Sequence, residues 1–241
     1  MKTIHYTIAS GIFEKVPSYI RGLVVVRGLV NTSVESEVEQ NLRQAEKSIS
    51  EKFTLESLLT DTRIVSWKEA FKSFGMNPNE FRPAHEALSR RSVQMKPLPA
   101  INTAVDIGNS ASLTYLMPIG VHPLDEVVEA LELRLATGNE SFTAFGSDKT
   151  EHPNVGEVIL AEGNDVFTRS WVWRQAQKSI TLKESKTLVV NIDAFSNLEG
   201  QSKEDVLKIA EGLAHQMQTY CKGETEIHIL DKENYSITIK V

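Results

Sequence analysis

Three short polar side chains at helical spacing are the first candidates for chemistry in this sequence. Asn102, Asp106 and Asn109 fall at positions i, i+4 and i+7, so on a helix they would line one stripe. Asn and Asp are weak helix formers because their side chains compete for backbone hydrogen bonds, and a surface helix more readily carries Glu and Lys. The stripe therefore indicates either a buried hydrogen-bond network or one wall of a polar pocket.

The flanking prolines predict the helix that must position this stripe. Pro97 and Pro99 exclude a helix upstream, and Pro99 is preorganised to begin one, so we expect the helix to start near Ala100. It should end before Pro118 and Gly120. Small residues on the helix would let another backbone or a ligand approach closely: Gly108, Ala111 and Ser112.

A second unusual stretch reads Trp171-Val172-Trp173-Arg174-Gln175, and it contains two of the three tryptophans of the protein. In a strand, Trp171 and Trp173 would share one face. One interpretation is a pair of core tryptophans with an arginine whose charged end reaches solvent. The other is an aromatic platform for a base or an amino-acid side chain, with Arg174 holding a phosphate or carboxylate. Both interpretations stay open.

Several other kinds of site are not indicated. Gly108, Gly120 and Gly146 are too scattered to form a phosphate-binding loop. The six histidines show neither HExxH nor paired spacing, so we expect no metal and no cofactor. The single cysteine, Cys221, lies near the end of an amphipathic helix and is expected to pack rather than to act as a nucleophile.

Composition and charge limit the class of protein. The formal net charge is 26 − 32 = −6, which argues against a general nucleic-acid coat protein. From Arg82 to Lys96 four Lys or Arg residues face one acid, Glu86, which is either a solvated helix face or part of a binding surface. The lone cysteine fits a reducing compartment, and Arg27 interrupts the longest apolar run, Gly22 to Val30. We expect a cytoplasmic protein with no membrane partner.

Periodicity and turn signals predict one compact α+β domain over residues 1–241, with a central, mostly antiparallel sheet flanked by helices. Residues 1–60 are expected to hold strands and a long helix, which opens with a capping box at Thr32–Glu35. Val166 to Trp171 is predicted as the second strand of a hairpin. Residues 200–241 are expected to add a helix and a closing hairpin that pack on the core.

The region from Arg82 to Ala194 resembles the tRNA-editing domain in the β chain of phenylalanyl-tRNA synthetase, the B3/B4 domain, and still more its free-standing bacterial relatives. The resemblance covers roughly half the chain, and its motifs fall in the same order. The segments that carry it are Ile101–Asp106, Gly108-Asn109, the Pro118 turn leading to Leu124-Asp125, Ala136–Gly146 and Trp171–Gln175.

This resemblance implies hydrolysis of wrongly charged aminoacyl-tRNA, with tRNA or the aminoacyl-tRNA 3′ end as partner. Asn109 and Asn102 would orient water or the ribose hydroxyls, and Asp106 would act as a base or hold an amine. Two arginines, Arg82 and Arg174, would hold the terminal phosphate. The residues expected to bind substrate are Arg82, Arg90, Ser112, Gly146, Trp171, Trp173, Arg174 and Gln175.

The sequence departs from the synthetase pattern in the pocket itself. Gly108-Asn109 stands at a Thr-Asn pair, and Gly120 stands at a histidine, although His122 is two positions on. Asn191 stands at a glutamate. Three functions therefore stay open: a deacylase acting in trans, a module that binds tRNA or aminoacyl-adenosine without cleavage, and an amino-acid-binding sensor. The sequence names neither the amino acid nor the oligomeric state.

Overall fold

The structure is a computed structural model, and it describes residues 2–31 and 35–241. The α+β class is confirmed, whereas the capping box predicted at Thr32–Glu35 depends on residues outside this description. The α-helices within the described ranges are α1 (Ser10–Lys15), α2 (Ser36–Lys52), α3 (Leu55–Thr60), α4 (Thr62–Ser73), α5 (Ala84–Val93), α6 (Thr103–Tyr115) and α7 (Lys203–Cys221), with a 3-10 turn at Gln177–Ser179.

The strands are short except for two that run through the middle of the molecule, β2 and β10. In chain order they are β1 (Thr3–Ile8), β2 (Tyr19–Arg27), β3 (Ile119–Pro123), β4 (Ala130–Leu135), β5 (Phe142–Thr143), β6 (Thr150–Glu151), β7 (Val158–Glu162), β8 (Asp165–Arg169), β9 (Arg174–Gln175), β10 (Thr187–Phe195), β11 (Glu224–Leu230) and β12 (Ser236–Lys240).

These strands divide over separate sheets instead of forming one central sheet. A six-stranded sheet has the order β12-β1-β4-β7-β8-β9, and a four-stranded sheet has the order β11-β2-β10-β3. Strands β5 and β6 form a small ribbon. Pairing is antiparallel except between β1 and β4, so the mostly antiparallel prediction is confirmed.

The side-chain alternation along β2 and β10 explains the layers. On one face, Leu23 and Val189 join the core that lies against the six-stranded sheet. On the other face, Val24 and Val190 pack against α6 and α7. The four-stranded sheet is therefore covered on both sides, which agrees with its run of apolar residues. Cys221, the last residue of α7, is buried, and burial raises the pKa of its thiol to about 12, as expected of a packing residue.

Close packing requires small residues where α6 meets β3. A β-carbon at Gly108 would lie 2.7 Å from Val121 Cγ2, so only glycine lets the helix approach this strand. The small residue at this position therefore admits the Val121 side chain of the neighbouring strand.

Three local predictions are wrong in detail. The α6 helix begins at Thr103 rather than near Ala100, because Asn102 caps it by accepting a hydrogen bond from the Val105 N–H. The predicted closing hairpin does not form, since β11 pairs with β2 while β12 pairs with β1 in the other sheet. Strand β8 ends at Arg169, so Trp171 lies in a turn.

Candidate functional site

A cavity of about 660 Å³ lies beside the four-stranded sheet, next to the polar side chains of Arg21, Asn191 and Asp193. Strands β3 and β10 supply one side, the helices α5 and α6 supply a wall, and the turn after β8 closes it. Asn109 of α6 and Trp173 of the turn both line this cavity. The two unusual segments of the sequence therefore meet around a common space, whose volume is in the range of small-molecule sites.

The turn that carries the tryptophans has a backbone that L residues rarely adopt. Ser170 and Trp171 have φ angles of 47° and 60°. The turn is held by the Ala84 N–H at the start of α5, which donates to the Val172 carbonyl oxygen over 2.9 Å. Its two indoles consequently take different environments, rather than the shared strand face that the sequence suggested.

Trp171 belongs mainly to the core. It is 1% exposed and packs edge-on against Tyr19, Trp67 and Phe74, with ring centroids 5.0, 5.1 and 5.3 Å away. Trp173 is half-buried, packs edge-on against Phe81 and lies under the Arg174 guanidinium at 6.0 Å. Both tryptophans line the cavity, but Trp171 packs mainly in the core, whereas Trp173 is half-buried.

The floor of the cavity is a continuous chain of buried polar side chains. At one end, Arg21 and Asp193 lie opposite each other on β2 and β10 and form an ion pair of 2.6 Å. Tyr19 also donates to the Asp193 carboxylate. The charged groups at this end are therefore paired within the floor, as buried charges must be.

At its other end the chain reaches the six-stranded sheet. The Tyr6 hydroxyl lies 2.6 Å from Arg21 Nη1 and 3.0 Å from Asn191 Oδ1. Asn191 Nδ2 lies 3.1 Å from His122 Nδ1, and His122 Nε2 lies 2.7 Å from Thr168 Oγ1. The chain thereby connects the two sheets across the cavity floor.

Burial determines the charge state of these floor residues. Desolvation, together with the nearby Arg21 cation, lowers the pKa of His122 to about 3, so its imidazole is neutral near pH 7. Desolvation likewise raises the pKa of Tyr6 to about 12. For Arg21, burial would lower the pKa, but the Asp193 carboxylate and both tyrosines outweigh it and hold the guanidinium charged.

With this geometry established, the comparison with protein families has a clear result. The family described as the B3/4 domain matches residues 66–221. The chain belongs to the B3/4 domain family. The matched region includes every cavity-lining residue named above except Arg21.

The fold of this B3/4 domain is also similar to a solved structure, an N-terminal fragment of the phenylalanyl-tRNA synthetase β-subunit from Pyrococcus horikoshii. The sequence identity is 10% and the TM-score is 0.47. The match covers 99% of this chain and 55% of that fragment, so the chain spans about half its length. No curated protein matches.

The B3/4 domain brings six of the predicted site residues to the cavity, and they are Asn102, Asn109, Trp171, Trp173, Arg174 and Gln175. Three of them are already engaged with backbone. Asn102 Nδ2 donates to the Thr181 carbonyl oxygen, and Gln175 Nε2 donates to the Val121 carbonyl oxygen. Arg174 Nη2 donates to the Phe145 carbonyl oxygen over 3.0 Å. In contrast, the Asn109 amide has no hydrogen-bond partner among the described residues, which leaves it available to a ligand.

Asp106 and Ser112 have structural positions outside the cavity lining, contrary to their predicted roles. Asp106 is fully buried and accepts from the Ile101 N–H at 3.1 and 3.2 Å, so it fixes the chain entering α6. Burial raises its pKa, against the opposing effect of that N–H. The Ser112 hydroxyl donates to the Met117 carbonyl oxygen at the helix end.

The basic stretch on α5 is compensated by one buried carboxylate. Glu86 lies 3.5 Å from Arg82 Nε and 3.4 Å from Arg90 Nη1, and Lys68 Nζ is also 3.4 Å away. Neither Arg82 nor Arg90 lines the cavity, so the cavity does not support their predicted substrate role. Gly146 follows the lining residue Phe145 in an exposed loop and does not itself line the cavity.

The sequence reasoning missed Arg21, Asp193, Tyr6 and Thr168. A signal was present for the first two, because Arg21 and Asp193 are charged residues in the interior of strands that are mostly apolar. Their cross-strand pairing could not be predicted from local pattern. Within the described ranges, no group of three or more His, Cys, Asp or Glu side chains could hold a metal ion. A helix with the length and hydropathy to cross a bilayer is likewise lacking in the part of the chain that the structure describes.

Proposed function

We propose that this B3/4 domain binds the aminoacylated 3′ end of a tRNA in the cavity and hydrolyses the ester bond between the amino acid and the terminal adenosine. The free-standing, bacterial status and the cytoplasmic location suggested by the sequence belong to the same proposal. The observation that carries it is the cavity of about 660 Å³, because it unites Asn109 with the Trp173–Gln175 segment.

The distribution of polarity in the cavity supports this substrate. The floor is polar, while the walls include apolar side chains such as Val105, Leu160 and Ile180. Arg174 and Lys183 also line the cavity, and both are exposed. An aminoacyl group needs an enclosed space with polar end groups, and the nucleotide that follows it carries a phosphate that cations bind.

Asn109 is the protein group best placed to assist hydrolysis. Ester hydrolysis requires a positioned water and a donor for the negative charge that develops on the carbonyl oxygen. The free amide of Asn109 can supply either contact, whereas Asn102 is committed to the backbone. The vicinal hydroxyl of the substrate ribose supplies a further group for proton transfer, so the reaction does not require a catalytic triad.

One observation favours a second candidate, binding without cleavage. Both ring nitrogens of His122 are occupied within the floor chain, and Asp193 is paired with Arg21. Among the described lining residues, neither group is then free to act as a base. In that case the domain would hold tRNA or aminoacyl-adenosine without breaking the ester.

A panel of aminoacyl-tRNAs, each charged with one radiolabelled amino acid, separates these functions. The wild-type domain is expected to release at least one amino acid faster than spontaneous hydrolysis, and Asn109→Ala should slow this release at least about tenfold. Asn197→Ala is the matched control, because Asn197 is exposed and lies outside the cavity.

Gel shifts with the same charged tRNAs complete the test. Binding without hydrolysis would establish the second candidate. Charged tRNAs that neither bind nor lose their amino acid would rule out both.

A further inference from the structure

We infer that the Thr168 hydroxyl donates a hydrogen bond to the end of the amino-acid side chain of the substrate. The chain of polar side chains in the cavity floor fixes this direction of donation. This inference rests on the proposed function and names the substrate class that the cavity selects. Such a donor favours an aminoacyl group whose side chain ends in a hydrogen-bond acceptor.

Arg21 sets the direction of hydrogen-bond donation along the polar side chains of the cavity floor. A guanidinium has only donors, and Arg21 directs Nε and Nη2 to Asp193 Oδ1 over 2.7 and 2.6 Å. Its Nη1 therefore donates to the Tyr6 oxygen. Because Tyr6 accepts there and its pKa is raised to about 12, it keeps its own proton and donates it to Asn191 Oδ1.

The next link fixes the tautomer of His122. Since Asn191 Oδ1 accepts from Tyr6, its amide nitrogen Nδ2 must face His122 Nδ1 and donate to it. Nδ1 then carries no proton. The neutral imidazole holds its single proton on Nε2 and donates it to Thr168 Oγ1 over 2.7 Å.

Thr168 is the end of the chain. Its oxygen accepts from His122, and its own hydroxyl proton has no acceptor among the residues that the structure describes. The side chain lines the cavity and is 6% exposed, so a ligand that fills the cavity replaces solvent next to it. A buried donor without an acceptor is costly, and a ligand acceptor placed here would satisfy it.

This arrangement discriminates between ligands of equal size. A side chain that ends in a hydroxyl or an amide carbonyl can accept from Thr168, whereas an isosteric apolar side chain leaves the donor unpaired. An ammonium group has no acceptor to offer. Sites that bury polar groups reject analogues lacking the partner atom more strongly than apolar pockets reject an added group.

The experiment uses non-hydrolysable probes, in which adenosine carries the aminoacyl group through a 3′ amide. Three isosteric pairs are compared by calorimetry: threonine with valine, asparagine with leucine, and glutamine with methionine. In at least one pair, the wild-type domain should bind the acceptor-bearing member about tenfold more tightly. Thr168→Val should reduce this ratio to near one, and Thr168→Ser should retain it.

Thr181→Val is the control within the same cavity. The Thr181 hydroxyl already donates to the Val121 carbonyl oxygen, so its loss should leave the ratio within each pair unchanged, whatever happens to the affinity itself. If the probes bind but Thr168→Val retains the preference, or the wild-type domain shows none, the inference is wrong while the proposed function survives. Failure of every probe to bind would contradict both.

A second measurement does not depend on a ligand. Nitrogen-15 chemical shifts of the His122 ring, recorded near pH 7, should show Nδ1 unprotonated and Nε2 protonated. The same tautomer should persist in Thr168→Val, because Asn191 determines it. A proton on Nδ1 would reverse the chain, remove the fixed donor and overturn the inference.

Discussion

The His122 ring occupies the space that a side chain at Gly120 would require. An ideal β-carbon at Gly120 would lie 2.7 Å from His122 Cε1 and 3.3 Å from Nδ1. The two residues alternate along β3 and point to the same face, so the missing side chain at one position permits the imidazole at the other to fold over it. The position of the His122 ring in the cavity floor therefore depends on glycine at position 120.

We expect Gly120→Ala to displace the His122 ring. The added methyl group must move the imidazole, which would break its contacts with Asn191 and Thr168 and leave buried polar groups unpaired. We expect a loss of about 2–4 kcal/mol in the free energy of unfolding, measured by urea denaturation. Gly212→Ala is the control, since a β-carbon there meets nothing within 4 Å, and it should gain about 0.5–1 kcal/mol by helix propensity.

Two buried histidines predict a loss of stability in mild acid. Burial lowers the pKa of both His85 and His122 from 6.5 to about 3. As the pH falls below 6.5, the unfolded chain takes up protons at these positions and the folded chain does not. The free energy of unfolding should therefore fall as the pH decreases, by about 1.4 kcal/mol per pH unit for each histidine.

Urea denaturation between about pH 6.5 and 5 measures this slope. His85→Phe is the informative variant, because His85 packs edge-on against Trp67 at 6.1 Å and an aromatic ring can replace it. In this variant the slope of the unfolding free energy against pH should lose the contribution of His85 and keep that of His122. An identical slope in wild type and variant would contradict the assignment.

Local sequence signals predicted the extent of α6 well, because prolines flank it on both sides. The helix ends at Tyr115, before Pro118, as expected. The partners of β11 and β12 could not be predicted in this way. Their pairing depends on strands near the N-terminus, roughly 200 residues earlier in the chain, so adjacency in sequence suggested a hairpin that does not exist.

The sequence predicted only those parts of the site that have a local signal. Asn109 and Trp173 were found because their residue types are unusual for their surroundings, and both line the cavity. Arg82 and Arg90 do not line the cavity, and the acid that compensates them, Glu86, is four residues from each. The sequence shows this spacing, but only the structure shows that the carboxylate is buried between the cations.

The buried ion pair in the cavity floor should show strong coupling. Arg21→Met leaves the Asp193 carboxylate buried without its cation, and we expect a loss of about 3–5 kcal/mol. Asp193→Leu leaves the guanidinium unpaired and should cost a similar amount. The double variant removes both charges, so it should be less destabilised than the sum of the two, as measured in a double-mutant cycle. Additive losses would show that the residues do not stabilise each other.

Salt dependence of tRNA binding should distinguish the cations at the cavity from those on α5. Arg174 and Lys183 line the cavity and are exposed, so each would neutralise a phosphate and release counterions. Replacing either by Ala should reduce the slope of log affinity against log salt by about 0.7, the value for single strands. Fluorescence anisotropy with a labelled tRNA between 50 and 200 mM salt, roughly the range over which such contacts weaken binding, measures this slope.

The matched controls are Arg82→Ala and Arg90→Ala. These residues contact the buried Glu86 carboxylate, and their loss should lower stability by about 1 kcal/mol or less while leaving the salt slope unchanged. A reduced slope in Arg82→Ala together with a normal slope in Arg174→Ala would place the RNA on α5 instead of at the cavity. Arg82 contacts Glu86, whereas Arg174 lines the cavity. Their positions therefore predict opposite results, although the sequence predicts the same phosphate-binding role for both.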